Sequence, residues 1–263
     1  KMTFIEVVQA RAGFWRRVGA LMIDCVVTML LLVPAQLLIA VLFLQTHGAV
    51  QGNLGPASLN CAPVTELPQR LEPPPPPSFT STMDCAASIF GFQTSRTLLI
   101  VKVDGNGQAQ TFATWGYSLG PDGQAVDAFD VSWLGSVVFL AYLVLMETWR
   151  GATLGKQAVS IRVVDGRTPS RVGLPLRKAV TRQLAMMIGI VPAFVVMYWW
   201  QGKLFAEGAA QEFSTLLSPS YIASTAITGM IQVAWLIWII VSVSRKRDPI
   251  YDRIAGTSVL RTS

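Results

Sequence analysis

The stretch RAGFWRRVGALMIDCVVTMLLLVPAQLLIAVLFL, residues 11–44, decides the class of this chain. It is apolar for long enough to cross a hydrocarbon layer of about 30 Å as a helix. Asp24 stands inside it. A carboxylate at such a position costs about 2.5–3.5 kcal/mol on insertion scales, so it faces the interior of a bundle and needs a partner. Basic residues precede the run, as they do in a secretory signal. Its length, its internal acid and the lack of a small-residue cleavage site after it point instead to a retained helix.

Composition extends this reading to the whole chain. With 52% hydrophobic and 14% charged residues and a mean hydropathy of +0.47, the sequence is too apolar for an ordinary soluble domain. Four segments are apolar enough to span: 18–44, 131–149, 179–200 and 221–244. The expected fold is an all-α membrane protein of four transmembrane helices, because lipid offers no partner to unpaired backbone groups. A small extracytoplasmic, β-containing insertion separates the first two helices. The expected organisation is a cytoplasmic N-terminus and first helix over 1–44 and an outer insertion over 45–130. Helices two to four follow over 131–244, with a basic cytoplasmic loop at 150–178, and then a basic cytoplasmic tail at 245–263.

Charge sorts these loops by side. Residues 1–17 carry four Lys or Arg, residues 150–182 eight and residues 245–263 five. Residues 45–130 carry three and residues 201–220 one, beside nine acids in those two loops. The positive-inside rule therefore places both termini and the 150–182 loop in the cytoplasm of a plasma (inner) membrane. The net charge of +6 is a topology signal. Its basic residues flank spans rather than line a face interleaved with aromatics, so no nucleic-acid partner is expected.

Cys61 and Cys85 both fall in the outer insertion, where an oxidising compartment lets them pair. Closing their loop of about 25 residues is worth roughly 3–4 kcal/mol in the chain-entropy model. Cys25 lies inside the first helix and reads as a small packing residue. His47 is the sole histidine, so no zinc constellation is available. Within the insertion, residues 45–84 are rich in Pro, Gly, Ser and Asn and include EPPPPPS at 72–78, a polyproline II candidate. After Cys85 the text turns strand-like: TLLIVKV at 97–103, a DGNG turn, AQTFATWGYSL and a PDG turn, which together read as a hairpin or meander. DGNG also opens like a calcium loop but lacks the closing bidentate Glu.

In the cytoplasmic loop, RGATLGKQ (150–157) invites a phosphate-loop reading. Three residues rather than four separate Gly151 from the Gly155-Lys156 pair, and Gln157 stands where a magnesium-holding Ser or Thr belongs, so nucleotide binding is rejected and no cofactor is expected. The following QAVSIRVVDG alternates as a short strand, and GTSVLR near the end is another strand able to pair with it.

Three separated blocks resemble the RDD family of membrane proteins: RRVGALMID (16–24), WRGATLGKQAVSIRVVDG (149–166) and KRDPIYDRIAGTSVL (246–260). Arg17, Asp24 and Asp252 fall on the arginine and two aspartates that name the family, and Gly151, Thr153, Gly155 and Lys156 on its cytoplasmic loop. The insertion at 45–130 looks like an elaboration outside the usual pattern. The resemblance implies transport of an undefined ligand, with cation/proton antiport as one version.

The candidate transport or ion-pair residues are Arg17, Asp24, Thr28, Glu147, Arg182 and Asp252. Seven residues at a rise of about 1.5 Å separate Arg17 from Asp24 by roughly 10 Å on one helix face, too far for a direct bond. The expected pairs are Asp24 with Arg182, and Arg17 with Asp252 or Glu147. Thr28 extends the polar stripe by one turn. A plainer reading is that these charges only fix helix packing. Trp149, Tyr198, Trp199 and Trp200 read as an interfacial aromatic belt, and Gln36 and Gln232 as bonds across helices. No nucleophile–base or paired-carboxylate pattern supports an enzyme. Two functions remain: a small transporter or cation/proton antiporter, oligomeric because four helices enclose little volume; or a non-transporting membrane subunit that recruits protein partners or anionic lipid. The expected partners are the lipid bilayer, protons and monovalent cations, and further copies of the chain or a membrane complex.

Overall fold

The computed structural model describes residues 11–68, 71–75, 78–105, 110–207 and 218–262. Among them the helices are α1 (Phe14–Gln45), α2 (Trp133–Arg150), α3 (Leu154–Ala158), α4 (Leu176–Met187), α5 (Val191–Glu207), α6 (Pro219–Ser244) and α7 (Ile250–Ala255). The strands are β1 (Val50–Gln51), β2 (Ser58–Pro63), β3 (Ser81–Ile89), β4 (Phe92–Gly105), β5 (Gln110–Ser118), β6 (Phe129–Asp130), β7 (Ile161–Asp165) and β8 (Thr257–Arg261).

The fold is therefore mixed, and the all-α, four-span expectation is corrected. Among the described residues two helices, α1 and α6, are long and apolar enough to cross a membrane. A third span exists only if α4 and the Val191–Trp200 part of α5 are taken together, and these are bent by 61° at their break. The apolar run at 179–200 hid that break because hydropathy sums side chains and is blind to backbone continuity. The helix stops ahead of Ile188–Ile190, and Pro192 stands in the first turn of the next one, where a missing N–H costs nothing. The candidate at 131–149 shrinks to the 18 residues of α2, whose last turns carry Glu147 and Arg150.

The chain divides into two compact units. One comprises residues 29–137 and 204–217, and the other residues 1–28, 138–203 and 218–263. In the first, β2, β3, β4 and β5 form an antiparallel sheet in sequence order. Leu98 and Ile100 of β4 and Tyr117 of β5 bury one face with Leu71 and Leu119. The strand period of two puts alternate residues on that face. Cys61 and Cys85 are direct cross-strand partners and are disulfide-bonded. Strand structure thus begins before Cys85, within the stretch that composition alone presents as irregular. The DGNG turn and the Pro run lie partly outside the described residues, whereas the PDG turn is present, with Gly123 N–H donating to Gly120 O at 3.0 Å. Gln36 is fully buried and does not bond across helices. Its amide donates to Asn53 Oδ1 at 3.1 Å and accepts from Leu54 N–H at 2.6 Å.

In the second unit β7 pairs antiparallel with β8, Val163 opposite Val259. Ile161, Val163, Leu174, Ala179 and Val259 form a core with Ala12, Ala20 and Val144. Ala12 N–H donates to Val259 O at 3.0 Å, which ties the segment before α1 to the last strand. Pro249 is the N-cap of α7, and Asp248 before it pairs with Arg11 at 2.7 Å. Trp149 and Trp199 are exposed, but Trp200 is buried and donates from its indole to Ser224 Oγ at 3.0 Å, so it does not belong to an interfacial belt.

Candidate functional site

Two buried clusters meet in the second unit, and α3 links them. The first surrounds Asp24. Its Oδ1 accepts from Tyr142 Oη at 2.8 Å and from Gly155 N–H at 2.8 Å, and its Oδ2 accepts from Thr153 Oγ1 at 2.5 Å. Thr153 is also the N-cap of α3, where its hydroxyl accepts from Lys156 N–H; such a residue at the first turn satisfies an orphan donor. Asp24 thus clasps the start of α3, and no ion pair to it occurs among the described residues. The expected Asp24–Arg182 pair is corrected. Three donors, one of them a backbone N–H at a helix start, take the place of a cation. Thr28 does not join this cluster, since its hydroxyl donates to the Asp24 backbone carbonyl at 2.8 Å.

Gly155 is required at its place by space. A side chain there would run into the Ala20 carbonyl of α1 and lie 2.8 Å from Asp24 Cγ. Gly155→Ala should therefore force α3 off α1 and cost more than the ~1–3 kcal/mol typical of overpacking. A thermal melt of the purified variant checks this, and an unchanged midpoint would show that α1 and α3 separate freely. Gly151 serves the same loop differently: its φ of +68° lies in the left-handed region that glycine adopts without strain.

The second cluster is a chain of charges. Arg17 Nη1 bonds Asp252 Oδ2 at 2.9 Å; Arg182 Nε bonds Asp252 Oδ1 at 2.6 Å, and its Nη1 bonds Glu147 Oε1 at 2.5 Å. Lys156 Nζ closes the chain on Glu147 Oε1. Glu147 and Asp252 are both fully buried. Elements far apart in sequence supply the members: α1, the last turn of α2, α3, α4 and α7. Arg182 further lies over the Tyr251 ring, 5.5 Å from its centroid, a cation–π distance. Arg182 is the hub because its rigid planar fork aims separate N–H donors at two carboxylates, a preorganised spread that the compact point charge of an ammonium lacks. Glu147 Oε2 is buried without a hydrogen-bond partner among the described residues.

Burial alone would raise the Asp252 carboxyl, but Arg182 and then Arg17 outweigh it and hold the group below the usual carboxylate range. Folding therefore favours the ionised form. The resulting stability is fully present above the unfolded value of about 4 and is lost as pH falls through it toward the lower folded value. The melting midpoint should hold from about pH 7 to 5 and drop below about pH 4. Asp252→Asn, melted across the same range, should show a shallower drop. Burial also pushes the Lys156 ammonium down, with Glu147 opposing.

Between α1, α4 and α6 lies a cavity of about 620 Å³. Arg17, Asp24, Lys156 and Arg182 line its charged part; Leu21, Met186, Trp235, Leu236 and Ile239 are among its apolar lining. Gln232, which reads from sequence as an interhelical bond, lines it too. Tyr142 is one site residue that sequence reasoning missed. The signal was a phenol in an apolar helix, whose hydroxyl needs a partner when buried.

Apolar helices able to span a bilayer, joined to a buried charge network, define an integral membrane protein. The chain belongs to the RDD family, whose pattern matches residues 86–256. The match takes in the 149–166 loop and most of the basic tail, and it runs through residues 86–130. The later part of the 45–130 segment therefore lies within the family pattern rather than being an elaboration outside it. The 16–24 block precedes the matched residues. No curated protein and no solved structure matches the chain.

Proposed function

We propose that this chain is a membrane transport domain whose ligand site is the cavity beside Arg17, Asp24, Lys156 and Arg182. The observation that carries this is a volume of about 620 Å³ reaching a buried charge cluster, which is within the ~300–1,000 Å³ usual for small-molecule pockets. The geometry supports cation/proton antiport at Asp24 less well. That carboxylate already accepts from three donors, and three cationic side chains share its cavity wall.

The proposal includes a plasma (inner) membrane location with both termini cytoplasmic and residues 45–130 outside, assembly with further copies of the chain, and no enzymatic activity. The charge distribution supports the orientation, as does the bonding of Ala12 to Val259, which brings the two ends of the chain to one side. Labelling a Ser58→Cys variant from the outer face of intact cells tests the orientation, and protection of that cysteine reverses it. For transport, the full chain is reconstituted into vesicles holding a pH-sensitive dye and offered gradients of Na⁺, K⁺, acetate and dodecyl phosphate. Dye responses above those of empty vesicles are expected with an anion. A response to cations alone restores antiport, and no response to any of them moves the reading to a partner-recruiting subunit.

A further inference from the structure

We infer that the cavity takes an amphipathic anion, a single alkyl chain or acyl tail ending in a carboxylate or phosphate. The inference deepens the reading of this cavity as a ligand site, but it concerns binding and does not require flux. Its first support is the uneven placement of charge. Arg17, Lys156 and Arg182 line the cavity with one carboxylate, Asp24, while Glu147 and Asp252, which neutralise them, are not among the lining residues. The wall therefore presents an excess of cations to an occupant, and the donors of Asp24 leave it little to offer a cation.

The second support is shape. Gln232 and Val243, both in the lining, stand eleven residues apart on α6, about 16 Å at the ~1.5 Å rise of a helix. An elongated, mostly apolar volume with a few charged side chains in its wall suits a tail and a headgroup. Arg17 lies in the first turns of α1, where the polar end of a membrane ligand would sit. The third support is access. Leu21 and Leu236 of the lining, on the two helices able to cross a membrane, and Met187 and Ile190, at the break between α4 and α5, are each more than 40% exposed. A ligand partitioned in the bilayer can then enter sideways. Trp235 Nε1, on a residue of the same wall, is buried with no partner among the described residues, and it is a donor that an anionic or ester oxygen can meet.

The test uses the full chain purified in neutral detergent, titrated with dodecyl phosphate, laurate and dodecyltrimethylammonium, and followed by thermal shift and native mass spectrometry. Both anions should bind saturably and raise the melting midpoint, with affinity at least tenfold above that of the cation. Ile239→Trp, which fills the apolar part without touching the charge network, should weaken anion binding at least tenfold. Arg17→Gln should weaken it while leaving the cation's affinity unmoved. Equal affinity for anion and cation, or anion binding unaffected by Ile239→Trp in a folded variant, overturns the inference. Nanodiscs of phosphatidylglycerol or phosphatidylcholine separate two sources of the same chemistry. Retention of one phosphatidylglycerol, displaced by dodecyl phosphate, assigns a membrane lipid, and laurate bound with no retained lipid assigns a free acid. Saturable anion binding with no flux would overturn the transport reading and leave this one standing.

Discussion

Arg182→Gln is expected to lower stability by roughly 3–5 kcal/mol, the cost of breaking a buried pair by removing one partner. Arg182 donates to Glu147 and Asp252 together, and both carboxylates are fully buried. The variant leaves each with a single cation, Lys156 or Arg17, and no group between them to offset their mutual repulsion. Arg182→Lys should recover only part of the loss, because one ammonium does not span two carboxylates as a guanidinium does. Glu147→Gln together with Arg182→Gln should cost less than the sum of the two single changes, as coupled neighbours do. The measurement is the melting midpoint and yield of monodisperse protein in detergent. A midpoint for Arg182→Gln within about 1 kcal/mol of the parent, the size of an ordinary surface pair, would mean that water reaches this cluster.

Asp24→Leu should be comparably damaging for a different reason. Tyr142 Oη, Thr153 Oγ1 and Gly155 N–H all donate to this carboxylate, and each buried donor left without an acceptor costs about 1–3 kcal/mol. Asp24→Asn should be much milder. Its amide oxygen can still accept from Tyr142 and Gly155, and its NH₂ can donate to Thr153 Oγ1 once that hydroxyl turns. The contrast separates a clasp from an exchange site. If Asp24 bound an exchanging ion, the Asn variant would fold and lose all ion-dependent flux. If it clasps α3, the Asn variant retains flux in proportion to the folded protein, and the Leu variant loses the fold. Flux per folded molecule beside the melting midpoint decides between them.

What the sequence determined by itself was chemistry that depends on neighbours along the chain. The apolar runs of α1 and α6, the strand alternation at 161–165 and 97–103, the pairing of Cys61 with Cys85 and the family blocks all rest on local composition and spacing. The charged residues of the site were legible too, since an ionisable group within or beside an apolar run stands out against its surroundings. Their pairing was not. Arg182 could have met Asp24, Glu147 or Asp252, and the choice depends on α4 packing against α7 and on the α3 turn filling the space beside Asp24. Gly155 shows this most directly, because its lack of a side chain matters only once the Ala20 carbonyl is in contact with it. The number of spans was also a tertiary matter. Hydropathy adds the apolar residues on either side of Ile188–Ile190 as if they lay on one helix, while the backbone bends there by 61°. The cavity exists only because α1, more than a hundred residues before α4 in the sequence, packs near α4 and α6 and leaves a volume unfilled between them.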